Sequence, residues 1–136
     1  MVHTYLFHFS LKVSYTPGKK GGNFGLPLGA KLTVPDGIFN KKDSITCEVA
    51  PPSQRWKYTP VLPVHEHLTS EIFLFSSTVS ILKKTVVIQI PYYPIDSEHS
   101  EINVKGKWKD ENEWVDVGFL KKVNTCSLVL YYPNTR

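Results

Sequence analysis

A few groups of side chains in this sequence have the types and spacing from which chemistry could be built. His65-Glu66-His67 sets two imidazoles at i and i+2, on one face of a strand. Zinc takes three or four ligands, and neither His99 nor the separate thiols Cys47 and Cys126 stand at a spacing that completes a set. Asp96, Glu98 and Glu101 gather beside His99, but on a polar turn where nothing desolvates a carboxylate towards acid–base work. Gly18, Gly21, Gly22 and Gly25 fit neither nucleotide-binding fingerprint. No metal, no cofactor and no enzyme activity are expected from these groups. Arg55-Trp56-Lys57-Tyr58 and Lys105-Gly106-Lys107-Trp108-Lys109 interleave cations with aromatic rings, as a single-stranded nucleic-acid groove does. Trp108 shares the parity of Ile102 and Val104, which assigns it to a core. Trp, Tyr and Arg are also the residue types that anchor protein interfaces. The expectation is therefore protein contact through Arg55, Trp56 and Tyr58, and no nucleic acid.

The elements that must position these residues are short strands. From 5 to 15 every odd position is apolar (Tyr5, Phe7, Phe9, Leu11, Val13, Tyr15), and His8, Ser10, Lys12 and Ser14 fill even ones. Period two puts successive side chains on opposite faces of a strand. A loop follows at 17–22. The next strand, 28–34, faces Leu28, Ala30, Leu32 and Val34 inward, and Pro35-Asp36-Gly37 turns it. Residues 44–50 point Ile45, Cys47 and Val49 inward. The prolines at 51, 52, 60 and 63 make 51–68 a long irregular connection. Residues 72–75 are apolar on both faces, as in a covered strand. Val86, Ile88 and Ile90 alternate until Pro91. Val104 and Trp108, then a turn at 110–112, then residues 114–117 form a hairpin, and Cys126, Leu128, Leu130 and Tyr132 mark the last strand. About eight such strands without an amphipathic helix predict an all-β, two-layer antiparallel β-sandwich.

Composition agrees. The chain has 136 residues, 41% hydrophobic and 21% charged, a balance for one globular domain and against disorder. The longest apolar run, 72–82, is broken by Ser and Thr and is too short to span a bilayer, so no transmembrane segment is expected. No secretory signal and no Asn-x-Ser/Thr site stand out, and two cysteines are too few for a disulfide framework. The reading is a cytoplasmic location with two buried thiols. The formal net charge is +4, and lysines come in pairs: Lys19-Lys20, Lys41-Lys42, Lys83-Lys84 and Lys121-Lys122. Such pairs solubilise a surface and protect sheet edges. Their sharper reading is a patch for an acidic protein or an anionic membrane surface.

The order of the pieces resembles the ZU-five domain of zonula occludens proteins, uncoordinated-type netrin receptors and ankyrins. That family opens on a Gly-Gly pair and a short apolar strand, where Gly21-Gly22-Asn23-Phe24 stands here. A strand running into a Pro-x-Gly-apolar turn is similar to residues 28–38, ending Pro35-Asp36-Gly37-Ile38. Leu68-Thr69-Ser70-Glu71-Ile72 stands at the family's Leu-Ser-Pro-like entry, without the proline. Val86-Val87-Ile88-Gln89-Ile90-Pro91 resembles its apolar strand ending in Leu-Pro, and Trp108 or Trp114 its late-hairpin Trp. The resemblance covers about residues 21–132. It implies a β-sandwich that binds cytoskeletal or signalling proteins, in some chains packed against a following β-domain and a death domain. Residues 1–136 are read as one such domain, with 1–20 an N-terminal strand and loop or the tail of a preceding unit.

Autoprocessing relatives of this family cut themselves at a Phe-Ser bond similar to His8-Phe9-Ser10. The Ser10 hydroxyl would attack the carbonyl carbon of Phe9 in a strained backbone, His8 would assist proton transfer, and water would release the ester. Here the tripeptide precedes Gly21-Gly22, whereas in those relatives the site lies near the domain's end. Phe9 is also one tooth of an unbroken apolar row. The expected function is a non-catalytic protein–protein interaction module of a scaffold or signalling protein, with self-cleavage at Phe9-Ser10 as the alternative.

Overall fold

A computed structural model describes residues 11–51, 53, 57, 66–79, 82–92, 103–108, 111, 113–117 and 125–133, with 66, 67 and 125–133 described by their backbone. These residues form ten strands: β1 (Lys12–Tyr15), β2 (Gly22–Gly25), β3 (Lys31–Val34), β4 (Ile45–Val49), β5 (Glu66–Leu68), β6 (Phe73–Ser77), β7 (Val87–Gln89), β8 (Asn103–Trp108), β9 (Val115–Asp116) and β10 (Thr125–Pro133). They make two antiparallel sheets. The larger runs β1-β4-β6-β10-β8-β9, with β5 also on β10; the smaller runs β2-β3-β7.

Period two explains which faces meet. Val13, Cys47, Phe75, Cys126 and Trp108 are successive Cα partners across five strands of the large sheet. Partners in an antiparallel ladder point to the same face. Val13, Cys47, Phe75 and Trp108 accordingly share one core with Leu32 and Val34 of the small sheet. Ile45, Val49 and Phe73 join them, and Phe24, Ile88 and Ile90 pack against the rim. Each buried Leu, Ile or Phe side chain contributes about 2–3 kcal/mol to holding the layers together. At one edge the layers also touch through rings: Tyr15 and Phe24 lie with centroids 4.9 Å apart. The Tyr15 hydroxyl donates to the Gly25 carbonyl at 2.6 Å, from the large sheet to the small one.

The all-β, two-layer reading holds, with ten strands among the described residues where the sequence suggests about eight. Trp108 is in the core as its parity predicts, and Cys47 is buried. Cys126 stands two strand spacings from Cys47, roughly 9.5 Å and beyond disulfide reach. Residues 72–75 are covered on both sides. Phe73 and Phe75 face the main core, while Ile72 and Leu74 join Ala50, Leu68 and Trp114 in a second apolar cluster on the other face of the large sheet.

Two local expectations change, at residues 28–30 and within 51–68. Residues 28–30 do not extend the strand: Pro27–Gly29 is a single 3-10 turn in which Leu28 has φ 61° and is half exposed. Pro27 has no N–H for a ladder, and Gly29 supplies a positive φ of 82°, so the chain bends before β3 starts at Lys31. β2 stands where the family resemblance puts a short apolar strand; it carries one large apolar residue, Phe24, too few for periodicity to mark it. β5 lies inside the stretch read as irregular; its three residues owe their strand geometry to β10, with Leu68 opposite Tyr131.

Gly21 is fixed by space as well as by dihedral. It sits at φ 65°, and a Cβ there would overlap the carbonyl oxygens of Val34 and Pro35. Gly18, at φ 71°, has nothing within 4 Å of that position, and Gly25 has open space without a positive φ. Substitution by Ala should rank accordingly in urea unfolding: about 3 kcal/mol or more lost at Gly21, about 1 at Gly18, and no more than about 0.5 at Gly25. Equal losses at Gly21 and Gly25 would contradict the close approach of the two loops.

Candidate interaction surfaces

The register places three connections at one end of the sandwich. Tyr15, Ile45 and Ser77 are neighbours in the large sheet, so β1 ends where β4 begins and β6 ends. In the small sheet Gly22 pairs with Val34 and Thr33 with Val87, so β2 begins where β3 ends and β7 begins. The connections 16–21, 35–44 and 78–86 therefore all cross between layers at this end. Their inward residues, Ile38, Phe39 and Val86, are buried in the core, and Val79 and Leu82 pack against it.

Polar groups knit these connections together. The Gly37 N–H donates to the Lys19 carbonyl at 2.8 Å. Lys84 Nζ reaches the same turn, donating to the Asp36 carbonyl at 2.7 Å and forming an ion pair with its Oδ1 at 3.1 Å. Asp43 Oδ2 accepts from the Asn40 N–H at 2.9 Å, closing a local turn. Its Oδ1 accepts from the Thr78 hydroxyl at 3.0 Å, while the Thr78 oxygen accepts the Ser44 N–H at 3.0 Å. Both carboxylates of these loops thus serve inside the loop cage.

A second surface surrounds the stem of the 51–68 connection. Its first end is tied down where the Ala50 N–H donates to the Ile72 carbonyl at 2.9 Å. Its last end is β5, paired on β10. Between these ends, beside the second apolar cluster, Thr69 and Ser70 are fully buried, and the Ser70 hydroxyl donates to the Glu71 carbonyl at 2.8 Å. Of the aromatic tetrapeptide, Lys57 is exposed; Arg55, Trp56 and Tyr58 lie outside the described residues.

The other sequence candidates fall as follows. His8, Phe9 and Ser10 lie outside the described residues; at Leu11, the first one described, the carbonyl accepts the Val49 N–H at 2.9 Å, continuing the ladder of β1. His65, Asp96, Glu98, His99 and Glu101 also lie outside them. Glu66 and His67 are placed in β5 by their backbone. Among the described residues, no three His, Cys, Asp or Glu side chains cluster as metal ligands, and no helix is long and apolar enough to cross a membrane. In the Lys105–Trp108 stretch, Trp108 is buried, and Lys105, opposite Asp116 in the β8–β9 hairpin, pairs with its carboxylate at 3.2 Å.

The class these observations define is an all-β antiparallel sandwich. The ZU5 domain family model matches residues 13–107, from β1 to β8. The chain belongs to the ZU5 domain family, a family of protein-interaction modules. No curated protein matches the chain. The matched region includes Gly21 and Pro35-Asp36-Gly37, which the structure joins as a loop contact and its partner turn, and it ends one residue before the core anchor Trp108. It begins after His8-Phe9-Ser10.

The loop cage can be tested through its hydrogen bonds. Thr78→Val removes a hydroxyl that both accepts from Ser44 and donates to Asp43, and should cost about 1 kcal/mol in urea unfolding. Lys84→Ala breaks a solvent-screened ion pair and should cost no more than about half of that. The reverse order would show that the connections are not held together through Thr78.

Proposed function

We propose that this domain is a non-catalytic protein-interaction module of a cytoplasmic scaffold or signalling protein. Its contact residues are Arg55, Trp56 and Tyr58, and its partners are other proteins, neighbouring domains of a longer chain included. Membership of the ZU5 family across residues 13–107 is the observation that carries this reading. The anchored stem of the 51–68 connection supports the choice of residues. Ala50 is tied to Ile72 at one end and β5 to β10 at the other, so the loop between them starts and ends at fixed points. Side chains presented from a restrained stem lose less conformational entropy on binding, and large aromatic anchors gain most from desolvation.

Trp56→Ala and Tyr58→Ala should each weaken capture of a partner at least tenfold in quantitative pull-down, with the far-UV circular dichroism spectrum unchanged. Undiminished capture by both variants would remove this loop as the contact site.

A further inference from the structure

We propose that the end of the sandwich closed by connections 16–21, 35–44 and 78–86 is a docking surface for an anionic lipid bilayer. Three of the four lysine pairs in the sequence, Lys19-Lys20, Lys41-Lys42 and Lys83-Lys84, lie one on each of these connections, far apart in sequence and gathered by the fold. All six lysines are exposed. The carboxylates among them are Asp36 and Asp43. Asp36 is engaged by Lys84, and Asp43 accepts from the Asn40 N–H and the Thr78 hydroxyl. Among the described residues, Lys19, Lys20, Lys41, Lys42 and Lys83 carry no carboxylate partner. Among the described residues, the exposed Glu111 and Glu113 stand at the same end but beside β8 and β9, with β10 between them and the strands that carry the lysine loops, so the described positive charge gathers towards β1, β4, β6 and the small sheet.

The residue types choose between a membrane and an acidic protein. The described residues of these connections hold no Trp, Tyr or Arg, and their apolar members Ile38, Phe39 and Val86 are turned into the core. A protein interface draws its affinity from buried aromatic and Arg anchors, while charges around it act mainly on specificity and encounter rate. Lysine is a compact point charge on a flexible stem, without the planar fork that suits a fixed bidentate partner. A fluid anionic headgroup surface asks for neither anchor nor register: it rewards each ammonium brought within a Debye length. The loop cage fixes three pairs at one end of a single body, so they can meet a plane together.

Sedimentation with phosphatidylserine-containing vesicles tests this, against pure phosphatidylcholine vesicles and a poly-glutamate peptide. Binding should require phosphatidylserine and weaken as salt is raised. Lys41→Gln/Lys42→Gln should lower the partition coefficient about fivefold per lysine, roughly 25-fold together, and Lys19→Gln/Lys83→Gln by a similar factor. The charge-matched Lys12→Gln/Lys31→Gln, at the far ends of β1 and β3, should change it little. Equal binding to both vesicle types, equal loss from the Lys12/Lys31 variant, or capture of poly-glutamate without vesicle binding would each overturn the proposal.

Discussion

The rest of the structure depends on how two sheets share a core that would otherwise be open at one end. Face-to-face sheets bury their inner side chains along the strands but leave the last row exposed where the strands stop. Here the chain crosses between layers three times at the same end, and each crossing that follows β3 or β6 turns apolar residues inward: Ile38 and Phe39 from one, Val79, Leu82 and Val86 from the other. The crossings thereby act as a lid of the core. Gly21 lets the first of them lie against the carbonyls of Val34 and Pro35, which a side chain at that position would prevent.

That constraint has a second face. A loop whose apolar residues point into the core must put its remaining residues outside, and in these connections the remainder is rich in lysine. Folding stability and surface charge at this end are set by alternate positions of the same short segments, such as Phe39 against Lys41-Lys42 and Leu82 against Lys83-Lys84. The surface is as rigid as the hydrogen bonds beneath it, because Asp36 and Asp43 tie the loops to one another. The outer face of the large sheet is organised differently, around the stem of the 51–68 connection and the apolar cluster of Ala50, Ile72, Leu68, Leu74 and Trp114.

Much of this was legible from side-chain parity. Alternation in residues 45–49, 86–90 and 104–108 assigned the inner faces correctly, and the two-sided apolar pattern of 72–75 anticipated a strand covered on both faces. Parity failed where the backbone departs from the pleat. Leu28 has the right period for β3 but sits in a turn set by Pro27 and Gly29, and so points to solvent. Phe39 is fully buried yet belongs to no strand, so no period marks it. The lysine pairs are visible as pairs in the sequence, but the grouping of Lys19-Lys20, Lys41-Lys42 and Lys83-Lys84 depends on register between strands tens of residues apart, which no local pattern encodes. Arg55, Trp56 and Tyr58 stand out by residue type alone, and the structure anchors both ends of the connection that bears them.

The most direct measurement is the unfolding free energy of Phe39→Ala beside that of Phe73→Ala. Phe73 lies mid-strand in the core, and Phe39 in a crossing loop. If the crossings seal the core, both variants lose about 3–5 kcal/mol in urea unfolding, with unchanged dependence on denaturant. A loss below about 1 kcal/mol for Phe39→Ala, with the full loss for Phe73→Ala, would show that the loops merely cover the sandwich and would contradict the account.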